Sequence, residues 1–298
     1  MPSFAERFID TNGVRLRVYE AGDRGAPVIV LALGLPELAN SWRHQIPVLA
    51  DAGYHVIAPD QRGYGGSSRP DTVADYDIHA LTGDLVGLLD DVGVERAIFI
   101  GHDWGAMVVW HTALLHPNRV RAVAGLSVPP IPRARKRPTE RWREKFGDDF
   151  YMLRFQEPGV AEAELEADVA ATMRGMFAGL VARDAPLPDW ISVDEFQHYV
   201  TEFGRTGFTG ALNWYRNYDR NWETTPALAH ATITVPALFV GGTADPIGPT
   251  MNPARAREVA AGSYTEQWVD GAGHWVQQER PDDVNRLLLA FLRDVDAA

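Results

Sequence analysis

The chain has 298 residues, of which 46% are hydrophobic and 23% are charged, fractions that are ordinary for a soluble globular protein. No stretch approaches the roughly 18 unbroken apolar residues of a membrane helix, and the absence of cysteine excludes disulfides and thiol chemistry. The net charge of −12 repels phosphate backbones and acidic membrane surfaces, so it argues against nucleic acid and membrane partners and for a small neutral substrate.

The first part of the chain alternates strand and helix signals. Asn12 and Gly13 lie between two alternating runs and predict a hairpin. The continuous apolar run over residues 26–33 is typical of a strand that is buried on both faces. A helix over residues 41–49, a strand over 54–58 and a long polar loop over 59–67 follow. The sheet is therefore predicted to begin antiparallel and to continue into its centre.

Apolar residues at helical spacing then predict a helix that begins after Asp77, a favoured N-cap, and ends at Gly93. Residues 98–100 form the next strand, residues 104–116 the next helix, and residues 120–128 another strand. This alternation predicts a doubly wound, mostly parallel central sheet with helices on both faces.

The alternation of strand and helix signals ends at residues 129–132, Pro-Pro-Ile-Pro, and a basic run begins after them. From residue 133 to 225 the pattern contains only helical segments. The basic run favours a solvated helix face over a patch for an anionic partner, because Glu140 and Glu144 interleave it. Afterwards a strand over 235–241, a helix over 254–261, a strand over 264–269 and a C-terminal helix are predicted. We therefore divide the chain into a core (1–132), an inserted helical cap, or lid (133–225), and a second core part (226–298).

Residues 101–105, Gly-His-Asp-Trp-Gly, join a predicted strand to a predicted helix. This Gly-x-Asp-x-Gly pattern has the geometry of a nucleophile elbow, with Asp103 where a serine more often stands. The flanking glycines allow the tight turn that presents one side chain at the end of the strand. Asp103 is therefore the candidate nucleophile. The alternative is a plain loop in which Asp103 only caps the following helix.

Asp245 and His274 each follow a predicted strand, and with Asp103 they stand in the order nucleophile, acid, histidine. In open α/β sheets the reacting groups lie beyond the carboxyl ends of the strands. Taken singly, Asp245 before a proline is a natural turn residue, and a lone histidine often only satisfies a local hydrogen bond. Three such residues in this order are much less expected by chance, so we predict a catalytic triad.

At this point the sequence resembles the epoxide hydrolases of the α/β-hydrolase fold, of the soluble and bacterial type, over nearly the whole chain. The matching strings are residues 59–67, 101–105, 150–159 (Phe-Tyr-Met-Leu-Arg-Phe-Gln-Glu-Pro-Gly), 213–217 (Asn-Trp-Tyr-Arg-Asn) and 271–281. The two strings in the insert are the specific ones. The resemblance implies a hydrolase of ether bonds that converts small-molecule epoxides and water to vicinal diols in detoxification, without a cofactor or a metal ion.

The resemblance also implies roles for individual residues. Asp103, Asp245 and His274 match the nucleophile, acid and histidine, and Tyr151 and Tyr215 match the lid tyrosines that hydrogen-bond the epoxide oxygen. The backbone N–H groups of Leu35 and Trp104 match the oxyanion hole, and Trp104, Pro36 and Trp275 match substrate-binding positions. Without the resemblance, both tyrosines would be assigned to packing. The chain departs from the family at Leu33, since the family usually has His-Gly-x-Pro where residues 33–36 read Leu-Gly-Leu-Pro.

The residue types suit the implied chemistry. A carboxylate that attacks an sp³ carbon forms a stable alkyl ester, whereas attack on an ester carbonyl would give an unproductive anhydride. Aspartate needs no base to be ionised, because its reference pKa is about 3.9. His274 is then free to activate water for hydrolysis of the ester, with Asp245 orienting it. Ring opening creates an alkoxide, for which a phenol with a reference pKa near 10 is a suitable proton donor.

Two other functions stay open. A haloalkane dehalogenase shares the aspartate elbow and the tryptophan after it. That family typically has asparagine at the position of Leu35, and the leucine side chain, unlike that of asparagine, cannot donate to a halide. A non-catalytic binding protein of the same fold is the second alternative, although such proteins usually lose a triad member. Substrate size, selectivity and oligomeric state, a homodimer included, are left open. The first residues lack a basic segment followed by an apolar one, so a cytoplasmic location is expected.

Overall fold

A computed structural model of the chain describes residues 4–179 and 185–297. Its strands are β1 (Ala5–Thr11), β2 (Val14–Ala21), β3 (Val28–Ala32), β4 (His55–Pro59), β5 (Ala97–His102), β6 (Val120–Leu126), β7 (Ala237–Gly242) and β8 (Tyr264–Val269). They form an eight-stranded sheet in the order β1-β2-β4-β3-β5-β6-β7-β8. Strand β2 pairs antiparallel with β1 and β4, and the other neighbours pair in parallel. The predicted mostly parallel sheet with an antiparallel start is confirmed.

The helices are α1 (Ile46–Asp51), α2 (Ile78–Val92), α3 (Trp104–Leu115), α4 (Pro138–Phe146), α5 (Tyr151–Arg154), α6 (Val160–Glu166), α7 (Val169–Phe177), α8 (Val193–Thr206), α9 (Thr209–Arg216), α10 (Tyr218–Thr224), α11 (Gly248–Met251), α12 (Val276–Glu279) and α13 (Pro281–Ala297). Short 3-10 turns cover Ala39–Trp42, Val73–Tyr76, Pro117–Arg119, Pro226–Ala229 and Pro253–Glu258. From α4 to α10, the part of the chain that the structure describes contains helices and no strand. Across residues 4–179 and 185–297, no helix is both long and apolar enough to span a membrane.

The core lies on the central strands. Every residue of β3, β4, β5 and β7 is buried, as the continuous apolar runs predicted, whereas β2 alternates between buried and more exposed positions. Each fully buried Val, Leu, Ile or Phe side chain contributes about 1.5–3 kcal/mol through removal of apolar surface from water. Burial of these apolar central strands therefore fixes the positions of their carboxyl ends at one edge of the sheet.

Local signals placed most elements within a few residues. Asp77 caps α2 by accepting from the Ala80 N–H at 3.0 Å, and Gly93 ends it with a left-handed φ of 73°. The helix expected over 41–49 is split into a 3-10 turn and α1. The helix expected over 254–261 is a 3-10 turn over Pro253–Glu258, and it does not continue because the N–H groups of Ala261 and Gly262 both donate to the carbonyl of Ile233 at 3.0 Å.

The expectation of a solvated helix face is met for the last three basic residues of the run, Arg141, Arg143 and Lys145, which are exposed on α4, whereas residues 133–137 precede the helix. In α4 only Trp142 is buried. Lys136 pairs with Glu144 at 2.5 Å and Arg143 with Asp148 at 2.7 Å, and all four side chains are more than half exposed. Such surface pairs contribute about 0–1 kcal/mol each.

Candidate active site

Asp103 stands at a sharp turn between β5 and α3. Its φ of 54° and ψ of −123° lie outside the regions that L-residues usually adopt, and its side chain makes no capping hydrogen bond to α3. The plain N-cap interpretation is therefore wrong. A Cβ on Gly105 would lie 2.3 Å from the carbonyl oxygen of Ala32, so only glycine lets the turn pack this closely on β3. Strained backbone of this kind costs about 1–3 kcal/mol and concentrates at functional sites.

The structure brings the three predicted triad residues together. Asp103, Asp245 and His274 follow β5, β7 and β8, so all three lie at the carboxyl edge of the sheet. His274 Nε2 lies 3.4 Å from Asp103 Oδ2, and His274 Nδ1 lies 3.0 Å from Asp245 Oδ2. Asp245 Oδ1 in turn accepts from the N–H of Ile247 at 2.8 Å. The acid thus orients the imidazole, whose other nitrogen faces the candidate nucleophile.

The two carboxylates change the titration of the imidazole. Burial alone would lower the pKa of His274, but its hydrogen bonds to Asp103 and Asp245 and their negative charges raise the pKa to about 10. Burial would raise the pKa of Asp245, and the hydrogen bond and charge of His274 outweigh it and lower that pKa. A pKa of about 10 corresponds to a protonated His274 ring at neutral pH.

The loop after β3 lies against Asp103, the candidate nucleophile. The N–H of Leu35 donates to Asp103 Oδ1 at 3.2 Å, and the Leu35–Pro36 peptide is cis. Leu33, where the resemblance implies a histidine, is fully buried, and its carbonyl accepts from the side-chain amide of Gln61 at 2.6 Å. The loop therefore keeps Leu35 N–H aimed at the carboxylate without a histidine at position 33.

Most of the predicted site residues line one cavity of about 310 Å³. They are Leu35, Pro36, Asp103, Tyr151, Tyr215, His274 and Trp275. Asp245 contacts Nδ1 of His274 and is not among the residues that line this cavity. Trp104 lines an adjoining cavity of about 330 Å³, and Tyr151 lines both cavities. The side chains of Asp103, His274, Tyr151 and Tyr215 therefore face a common space.

Both tyrosines are held by aromatic contacts. The ring of Tyr215 packs against Trp104 at 5.3 Å and Phe155 at 5.2 Å between centroids, and the ring of Tyr151 packs against Phe155 at 5.4 Å. Burial, and after it the negative charge of Asp103, raises the pKa of both phenols. Each hydroxyl therefore stays protonated at neutral pH and is able to donate a hydrogen bond.

Arg216 ties the two tyrosine-bearing segments together. It follows Tyr215 in α9, and its Nε donates to the carbonyl of Phe155, just beyond α5, at 3.0 Å. Its two Nη atoms contact the carboxylate oxygens of Glu162 at 2.7 and 2.8 Å. A bidentate pair of this kind fixes orientation as well as distance.

Sequence patterns did not single out a buried group behind the triad. His102 precedes the nucleophile, and its Nδ1 lies 2.6 Å from Glu37 Oε2 while its Nε2 lies 2.8 Å from the carbonyl oxygen of His274. Both side chains are fully buried. The signal available in the sequence was a titratable side chain within the otherwise apolar strand that leads to Asp103.

The fold and the site first define a class. Residues 27–281 match the family of proteins with the α/β hydrolase fold. Over 98% of both chains, the sequence is 59% identical to Epoxide hydrolase A of Mycobacterium tuberculosis. It is 36% identical to Epoxide hydrolase 2 of Siraitia grosvenorii over 96% of this chain and 97% of the relative.

Solved structures agree with the sequence relatives. Epoxide Hydrolase A from Mycobacterium thermoresistibile superposes with a TM-score of 0.95 at 60% identity, over 98% of each chain. An epoxide hydrolase from an endophytic Streptomyces has a TM-score of 0.95 at 38% identity, over 100% of this chain and 98% of that one. The chain therefore belongs to the epoxide hydrolase family of the α/β-hydrolase fold, which confirms the resemblance that its motifs predicted.

Proposed function

We propose that this protein hydrolyses small-molecule epoxides to vicinal diols through a covalent alkyl-enzyme ester on Asp103. The observation that carries the proposal is the common cavity, in which Asp103 and His274 face two protonated phenols, Tyr151 and Tyr215. Membership in a family whose relatives are named epoxide hydrolases supports the same reaction class.

In the first step, Asp103 Oδ2 attacks an epoxide carbon. Oδ1 is the oxygen that accepts from Leu35 N–H, so Oδ2 is left as the nucleophile. The carbon–oxygen bond of the epoxide breaks, and Tyr151 and Tyr215 donate hydrogen bonds to the leaving oxygen, which takes a proton from one of them. Positioned donors of this type act on charge that develops in the transition state.

Ester formation prepares the histidine for the second step. It removes the negative charge of Asp103, which is one of the two charges that raise the pKa of His274. The pKa then falls, and the imidazolium releases its proton, which restores the phenol. Neutral His274 now takes a proton from water as the water attacks the ester carbonyl, with Asp245 stabilising the new imidazolium.

The ester carbonyl oxygen is Asp103 Oδ1, so the oxyanion forms where Leu35 N–H already donates. The N–H of Trp104, at the first position of α3, is the second donor in this proposal, because such N–H groups have no partner within their helix. Collapse of the intermediate releases the diol and regenerates the carboxylate.

We also propose that residues 133–225 act as a lid on the core. This segment supplies Tyr151 and Tyr215, whereas the core supplies the triad and the substrate-binding positions Pro36, Trp104 and Trp275. In this proposal the lid supplies the electrophilic donors and the core supplies the nucleophile of one cavity.

A single turnover with excess enzyme in ¹⁸O-labelled water tests the covalent mechanism. Label is expected in the Asp103 carboxylate, while the first diol takes an unlabelled oxygen from Asp103. The variant His274→Gln is expected to gain the mass of one substrate and to stop there. His230→Gln, at an exposed histidine, is the matched control and should turn over normally. Label in the first diol alone would mean direct attack by water.

One observation favours a dehalogenase as the second candidate. The indole Nε1 of Trp104 is buried and has no hydrogen-bond partner among the described residues. An indole N–H of this kind is able to hold a leaving halide. A parallel assay with an epoxide and a haloalkane distinguishes the two functions, because the dehalogenase releases halide and forms no diol from the epoxide.

A further inference from the structure

The backbone carbonyl of His274 is held by two side chains that take no part in the proton transfers described above. Ser127 Oγ donates to this oxygen at 2.6 Å, and His102 Nε2 lies 2.8 Å from it. Ser127 is 1% exposed and His102 is 0% exposed, so both contacts are shielded from water. We call these two contacts the carbonyl clamp.

The orientation of His102 is set by its other neighbour. A carbonyl oxygen only accepts, so Nε2 of His102 carries a hydrogen. Its Nδ1 lies 2.6 Å from Oε2 of Glu37. The remaining oxygen of Glu37 accepts from the amides of Gln277 at 2.9 Å and Gln278 at 2.7 Å. Glu37 therefore connects the loop after β3, the residue before the nucleophile and the helix after His274.

Ser127 reaches the clamp from a strained backbone position. It follows β6 and has a left-handed φ of 63°, which is unusual for a residue other than glycine. Its N–H donates to the carbonyl of Val240 in β7 at 2.8 Å. Strain that the surrounding structure enforces in a buried residue beside a catalytic site points to a functional constraint.

The clamp matters most after the ester has formed. In the resting enzyme the ring of His274 is held by Asp103 and Asp245. Alkylation converts Asp103 to a neutral ester and removes one of these ionic partners. The orientation of the His274 ring toward water then depends on Asp245 and on the position of the His274 backbone.

We propose that His102 and Ser127, with Glu37 orienting His102, are positioning residues for the hydrolysis of the alkyl-enzyme. The inference rests on the covalent mechanism of the proposed function. It assigns to these residues a selective effect on the second half-reaction, because the first requires the carboxylate of Asp103 and not a free imidazole.

The test uses a matched pair of variants at one position. The amide nitrogen of asparagine takes about the place of Nδ1 of histidine, and that of glutamine about the place of Nε2. His102→Asn thus keeps a donor toward Glu37 and loses the clamp, whereas His102→Gln keeps the clamp. Ser127→Ala removes the other donor and changes nothing else in the side chain.

Single-turnover kinetics on free epoxide and on preformed alkyl-enzyme measure the two steps separately. His102→Asn and Ser127→Ala are expected to slow hydrolysis about 10- to 100-fold, as small misplacements of a catalytic group do. Alkylation should stay within about threefold of wild type in both, and His102→Gln should hydrolyse faster than His102→Asn.

Wild-type hydrolysis rates in the two clamp variants would overturn the inference. Equal losses in both half-reactions would overturn it as well, since they indicate a general structural role. If His102→Asn fails to fold, Ser127→Ala decides the question. A wild-type enzyme that forms no alkyl-enzyme would instead contradict the proposed function, so the two failures are distinguishable.

Discussion

Replacing Gly34 by alanine is expected to displace Asp103, the proposed nucleophile. A Cβ at this position would lie 2.1 Å from Asp103 Oδ1 and 2.6 Å from the backbone nitrogen of Trp104, whereas ordinary van der Waals contact begins at 3.4 Å. The carboxylate or the loop must therefore move by about 1 Å, a displacement that costs about 100-fold in rate. That factor corresponds to about 2.7 kcal/mol of lost transition-state stabilisation.

Rapid-mixing kinetics of alkylation under single-turnover conditions measure this effect directly. Gly204→Ala in α8 is the control, because a Cβ there meets nothing within 4 Å. That change should leave alkylation unaltered and stabilise the helix by about 0.5–1 kcal/mol. Alkylation by Gly34→Ala within about threefold of wild type, in a folded protein, would refute the inference that this close approach sets the position of the Asp103 carboxylate.

Three further predictions concern Tyr151 and Tyr215, His274 and the proposed cap. Tyr151→Phe and Tyr215→Phe should each slow alkylation about 10- to 1000-fold, and the double variant should abolish ring opening while a preformed ester still hydrolyses. The control is Tyr264→Phe, which removes a buried hydroxyl without a hydrogen-bond partner among the described residues. Near wild-type alkylation by the double variant would mean that Tyr151 and Tyr215 serve only in packing. Asp103→Asn should lower the pKa of His274 from about 10 in an NMR titration, because it removes a negative charge, and an unchanged pKa would exclude that charge as a cause. Arg216→Met should reduce the free energy of unfolding by about 3–5 kcal/mol in a urea titration, since it leaves the carboxylate of Glu162 without its bidentate partner. Arg143→Met, at an exposed pair, should cost less than about 1 kcal/mol, and equal losses in the two variants would contradict the distinction.

Periodicity and turn chemistry by themselves predicted the order of most elements and the positions of the candidate triad. Strands that are buried on both faces have continuous apolar runs in the sequence. The ends of α2 are marked by Asp77 at its start and Gly93 at its end. Gly101, Asp103 and Gly105 mark the elbow because only a few residue types permit that turn. These constraints act between residues that are close in the sequence, so they can be recognised from the sequence alone.

The contacts that set the chemistry were decided only by the tertiary structure. Leu35 N–H meets Asp103 Oδ1 across 68 residues of chain, and His102 meets the carbonyl of His274 across 172. No local pattern encodes such pairs, because they exist only once the order β3-β5-β6-β7-β8 sets the carboxyl ends of these strands side by side. The raised pKa of His274 has the same origin, since it depends on two carboxylates that distant strands deliver to one imidazole.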